Sequence, residues 1–143
     1  MRIFISYFYK VRFLTPNQIP FSTAVWDPKW FHDFKGQSHI FYDKRGVVNG
    51  LRIEPLAPRC TDCSGRCEPR DPSTCGFMRE YREQLDSISM EELLNYFKGL
   101  ANCFNLSDPD IVLLVHEAPS NPCSERVPLM DWFKSHGIEV MEL

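Results

Sequence analysis

Cys60, Cys63, Cys67 and Cys75 are separated by two, three and seven residues, all inside the stretch from Pro58 to Cys75. Tetrahedral zinc takes four soft or borderline ligands, and a Cys-x2-Cys turn brings two thiolates to one ion without straining the backbone. Gly65, Pro69 and Pro72 suit a chain that turns repeatedly around an ion, because glycine opens left-handed conformations and proline narrows the alternatives. The stretch is too short to bury an apolar core of its own. A structural zinc site with these four cysteines as ligands is therefore expected. The competing readings are reduced thiols, or two disulfides in an exported chain. Disulfides need an oxidising compartment, and Met1 to Lys10 has neither the apolar stretch nor the small-residue cleavage site of a signal peptide. The expected location is cytoplasmic.

A second group of reactive residue types follows the apolar run Ile111-Val112-Leu113-Leu114-Val115. Ligands of open α/β sheets bind beyond the carboxyl ends of the strands, so the polar loop from His116 to Glu125 is the place to look. Pro128 is tolerated only in the first turn of a helix, which puts Cys123 at or just before a helix N-terminus. Such an end carries free N–H groups and partial positive charge, which attract anions and activate a nearby thiol. One reading makes Cys123 a reactive or anion-contacting thiol, with Arg126 holding a phosphate or carboxylate and Glu117 orienting a ligand or moving a proton. The other makes Cys123 a small buried residue beside a structural Glu117–Arg126 ion pair. His116 is open to three roles: a metal ligand replacing one cysteine, a base, or a polar residue closing the strand. His32, His39 and His136 fall in surface segments, and Cys103 beside an apolar helix stripe reads as packing. There is no Gly-rich phosphate loop, nucleophile elbow or paired-histidine zincin helix.

The elements that must hold these residues are legible from periodicity. Ile3 to Phe8 is apolar on both faces, as in a strand inside a sheet, and Ile19 to Val25 is a second extended run ending at Asp27-Pro28. Gly46 to Ile53 reads as an irregular strand. Phe77, Tyr81 and Leu85 recur at helical spacing directly after Cys75. Ser89-Met90-Glu91-Glu92 forms a capping box before the stripe Met90, Leu93, Leu94, Phe97, Leu100, Ala101 and Phe104, which predicts a helix ending near Asn105. Val127 to Phe133 predicts another helix, stopped by His136-Gly137, and Ile138 to Leu143 a last alternating strand. Strand, helix and strand at this spacing form a right-handed βαβ unit with parallel strands.

With 143 residues, 43% hydrophobic and 13% aromatic, the chain is expected to form one folded α/β domain over residues 1–143, with residues 58–76 as a cysteine-rich insertion. No apolar run reaches membrane-spanning length. The formal charge of −3 gives no general attraction to phosphate backbones, and Arg59, Arg66 and Arg70 on the cysteine loop are the one local basic group, more simply a solvated face than a nucleic-acid surface.

Two regions resemble the family known as domain of unknown function 488. One is Pro20 to Phe31, PFSTAVWDPKWF, followed downstream by Leu56-Ala57-Pro58. The other is Leu113-Leu114-Val115-His116-Glu117 with Cys123 and Arg126, similar to an apolar strand ending in an acid and then a Cys-His-Arg element at the head of a helix. Here that element is Cys123-Ser124-Glu125-Arg126, without the histidine. The resemblance implies a compact α/β domain whose two loops converge at one end of a sheet. The sequence reading is thus a compact three-layer α/β domain with a short parallel or mixed sheet, helices on its faces and an inserted zinc loop. Ser22, Thr23, Trp26, Lys29, His116 and Arg126 are its ligand-binding candidates, and Cys123, Glu117 and Arg126 its catalytic ones. The first functional expectation is an enzyme or binding protein for a small anionic, nucleotide-like ligand, with tryptophan stacking and arginine supplying charge. The second is an interaction module of the kind bacteria and their phages use, binding another protein through the zinc loop and exposed aromatics.

Overall fold

Strands that are apolar on both faces pack inside a sheet with material on each side, as the run Ile111 to Val115 requires. The computed structural model describes residues 1–15, 17–28, 31, 51–59, 75–103, 105–117, 119–120 and 124–143. Strands β1 (Ile3–Tyr7), β2 (Gln18–Ser22), β3 (Leu51–Arg52), β4 (Asp110–Val115) and β5 (Val140–Glu142) form one sheet in the order β3-β2-β4-β1-β5, with every pairing parallel. Ile111 on β4 is in register with Ile3 on one side and Ile19 on the other, and every β4 residue is buried. The strand that reads as most continuously apolar is the one at the centre.

Because successive side chains alternate between faces, one register builds two cores. Ile3, Ile5, Ile19, Phe21, Ile111, Leu113, Val115 and Val140 share a cluster with buried residues of α1 (Gly76–Asp86), α2 (Met90–Cys103) and α3 (Arg126–Ser135). Phe4, Val112 and Leu114 point the other way, against Phe8, Val11, Leu14, Ala24 and Phe31. The described α-helices therefore lie on one face, and a 3-10 helix (Phe8–Phe13) with Phe31 covers the other. Helices on both faces were expected; among the described residues the second face carries only the 3-10 helix of the β1–β2 connection.

Helix limits follow their caps. Ser89 accepts the Glu92 N–H at 3.2 Å, the forward half of the capping box. The helix ends near Asn105, as expected: Asn105 turns left-handed (φ 55°) and the Leu106 N–H closes on the Ala101 carbonyl at 2.9 Å. Cys103 is exposed, not packed as expected. At the end of α3, Gly137 takes φ 75° and the Ile138 N–H reaches back to the Phe133 carbonyl at 3.0 Å, so glycine acts there as the stop.

The unit β4-α3-β5 is parallel as expected, but its strands are not neighbours. β1 lies between them, pairing with β4 from Ile3 to Tyr7 and with β5 from Ile3 to Ile5. No helix among the described residues is long and apolar enough to cross a membrane.

Candidate functional site at the carboxyl ends of the strands

In a wholly parallel sheet all carboxyl ends fall at one edge, and the loops leaving them share a surface. Here the edge brings together Ser22 to Asp27 after β2, Arg52 at the end of β3, His116 and Glu117 after β4, Glu142 of β5 and Ser124 to Arg126 at the start of α3.

On the β2 side, Arg52 is the organiser. Its Nη1 donates to Asp27 Oδ1 at 2.8 Å and lies 3.4 Å from Ser22 Oγ, its Nε donates to Glu54 Oε1 at 2.5 Å, and its Nη2 donates to the Val25 carbonyl at 3.3 Å. Ser22 Oγ in turn donates to Asp27 and accepts the Ala24 N–H at 3.2 Å. Thr23 is fully buried, and both its N–H and its hydroxyl donate to the Leu114 carbonyl, at 3.0 and 3.1 Å. Its polar atoms tie β2 to β4, so of the two neighbouring ligand candidates only Ser22 faces the charged cluster.

Trp26 is 80% exposed, while its backbone carbonyl is hydrogen-bonded to His116 Nε2. The His116 ring packs 5.0 Å from Phe8. This histidine links the loops after β2 and β4. Lys29 and Cys123 lie outside the described residues, as do Cys60, Cys63 and Cys67.

Arg126 is buried, with its guanidinium between two elements. Nη1 donates to the backbone carbonyl of Glu117 at 2.7 Å, while Nε lies 2.5 Å and Nη2 3.4 Å from the two carboxylate oxygens of Glu142. The expected Glu117–Arg126 pair is thus made through the Glu117 backbone, and the carboxylate partner is Glu142. The Glu117 carboxylate lies 3.4 Å from the Ser124 hydroxyl, whose oxygen accepts the Arg126 N–H at 3.1 Å.

Between them sits Glu125, only 5% exposed, with Oε2 buried and without a hydrogen-bond partner. Burial pushes its carboxyl well above the usual carboxylate range; the neighbouring Glu117 pushes the same way, and Arg126 and Arg52 only partly oppose them. On the helix side lies Tyr81, fully buried, whose hydroxyl donates to the Leu56 carbonyl at 2.5 Å; burial, then Glu125, raises its phenol well above the ordinary value. Such a shift favours the protonated form, whose O–H can donate a hydrogen bond.

Glu125 stands in the Cys123-Ser124-Glu125-Arg126 stretch already singled out, yet its burial had no local signal. Glu142 could have been noticed as a charged residue on an otherwise apolar closing strand. The Asp27–Arg52 pair could not, because it depends on which strands become neighbours.

Cys75, the one described member of the cysteine set, is buried, carries a free thiol and occupies the N-cap position of α1. No family model, curated protein or solved structure matches this chain.

Proposed function

We propose that the chain binds a small anionic, nucleotide-like ligand at the carboxyl edge of its sheet. The observation that carries the reading is Glu125: a buried carboxyl whose Oε2 has no hydrogen-bond partner and whose pKa is raised by burial, beside Glu117 and two guanidiniums, on the edge where parallel sheets bind ligands. A heterocycle with adjacent N–H and acceptor atoms matches two neighbouring carboxyl groups, and exposed Trp26 offers a stacking face. Arg126 and Arg52 are the described cations nearby, and both are shared with carboxylates. The anionic part of the ligand therefore contributes less than its ring. Zinc held by Cys60, Cys63, Cys67 and Cys75 has a structural role in this reading.

The test is a thermal-shift panel of free bases, nucleosides and nucleoside monophosphates against the wild-type chain and Trp26→Ala. Stabilisation by at least one ring, increased modestly by a phosphate and reduced in Trp26→Ala, is expected. A panel without any shift would overturn the reading.

A second reading is favoured by Tyr9, Phe13 and Trp26, which are 53%, 64% and 80% exposed, with Tyr9 and Phe13 rings 6.1 Å apart. Large exposed aromatics anchor protein interfaces. Partner capture lost in Phe13→Ala but kept in Glu125→Gln supports this alternative.

A further inference from the structure

A cavity of about 380 Å³ opens between the segment Arg52 to Pro55 and the amino-terminal half of α2. Sites for small organic ligands run from about 300 to 1,000 Å³, so it has room for one planar ring system. Ile53, Pro55, Ile88 and Leu93 make the apolar wall, and Tyr96 offers a ring that is 46% exposed. The Tyr96 ring is braced from behind by Phe97 at 6.2 Å and Phe21 at 6.5 Å.

Charge selects the occupant. Arg52 is the lining cation, and its guanidinium is taken up by Asp27, Glu54 and the Val25 carbonyl. The remaining charged lining group is the exposed carboxylate of Glu92. The positive end of α2 is offset by Glu91 and Glu92 in its first turn. An apolar slot with an aromatic face and an acidic mouth suits a planar ring carrying a positive charge.

We propose that this cavity is a second binding site, for a small aromatic cation of the amidine or aminoheterocycle class. The assignment is independent of the ligand proposed at the carboxyl edge, with which it shares only Arg52.

The test is an NMR titration of the isotopically labelled full chain with benzamidine, 2-aminobenzimidazole and, as the matched anion, benzoate. Saturable shifts of the Ile53, Ile88 and Tyr96 amides are expected with the two cations and not with benzoate. Leu93→Phe, which fills the slot, should abolish them. Glu92→Gln, an exposed change that leaves the core intact, should weaken binding about fivefold, the worth of one exposed ion pair. Trp26→Ala and Glu125→Gln should leave the titration unchanged, which separates this site from the first. Absence of saturable shifts, benzoate binding as tightly as benzamidine, or full binding in Glu92→Gln would each overturn the proposal.

Discussion

Replacing Glu125 by glutamine should change how stability depends on pH more than it changes stability at any one pH. In the folded chain burial raises the carboxyl well above its ordinary value, whereas in the unfolded chain it titrates as a normal glutamate. Below the ordinary value both states hold the proton and the residue is neutral to folding. As pH rises through that value the unfolded chain releases its proton while the folded chain keeps it, so stability falls. The slope approaches about 1.4 kcal/mol per pH unit until the raised folded value is reached. Glutamine has nearly the same shape and cannot ionise, so Glu125→Gln removes the slope. Any mismatch of its amide in the pocket adds an offset independent of pH. The assay is a set of denaturant melts at pH steps from 5 to 8 on both proteins, read as their difference in unfolding free energy. For a chain of 143 residues, each kcal/mol corresponds to about 4 °C in Tm, so a parallel thermal series would show the variant gaining on wild type as pH rises. Curves that stay parallel, or a difference that moves the other way, would mean that Glu125 is ionised or paired in the folded chain, and the protonated-carboxyl argument would fail.

Arg126→Ala removes the partner of Glu142 and the donor to the Glu117 carbonyl; because Glu142 is one-third exposed, the expected loss is about 2 kcal/mol, below the range for a fully buried pair. Arg126→Lys should recover only part of it in the same melts, since one ammonium cannot reproduce the forked contact. Ser89→Ala should cost about 1 kcal/mol by removing the acceptor for the Glu92 N–H, and Ser89→Asp should restore it. Elemental analysis should find about one zinc per chain, and chelation should lower the melting temperature and open Cys75 to thiol reagents; protein without metal whose Cys75 is already reactive would contradict the zinc loop.

The strands and helices were legible because each leaves a periodic mark. The Ile111 to Val115 run could only be a covered strand, and Ser89 with Glu92 marked a helix start that the Ser89 oxygen makes. Strand order was not legible. Nothing in the sequence of β5 says that it pairs with β1 rather than with β4, the strand before its own helix. The site divides along the same line. Ser22, His116, Glu117 and Arg126 could be nominated from their positions at strand and helix ends. The partners that fix their chemistry come from elsewhere: Arg52 from the sheet edge, Glu142 from the closing strand and Tyr81 from α1. Thr23 was a reasonable nomination by position, but a threonine whose donors both meet one carbonyl serves the backbone.

The place of β1 in the sheet has a consequence for how the chain is made. Ile3 to Ile5 are flanked on one side by Ile111 to Leu113 and on the other by Val140 to Glu142, so neither edge of β1 is covered until both of those distant segments have been made. Pairings between such distant segments close slowly, and an apolar strand with bare edges is a template for the wrong neighbour. During synthesis the stretch Ile3 to Phe8 is thus exposed to aggregation until those partners arrive. Slowing translation after this segment should lower the soluble yield, and a chaperone able to hold an extended apolar segment should raise it.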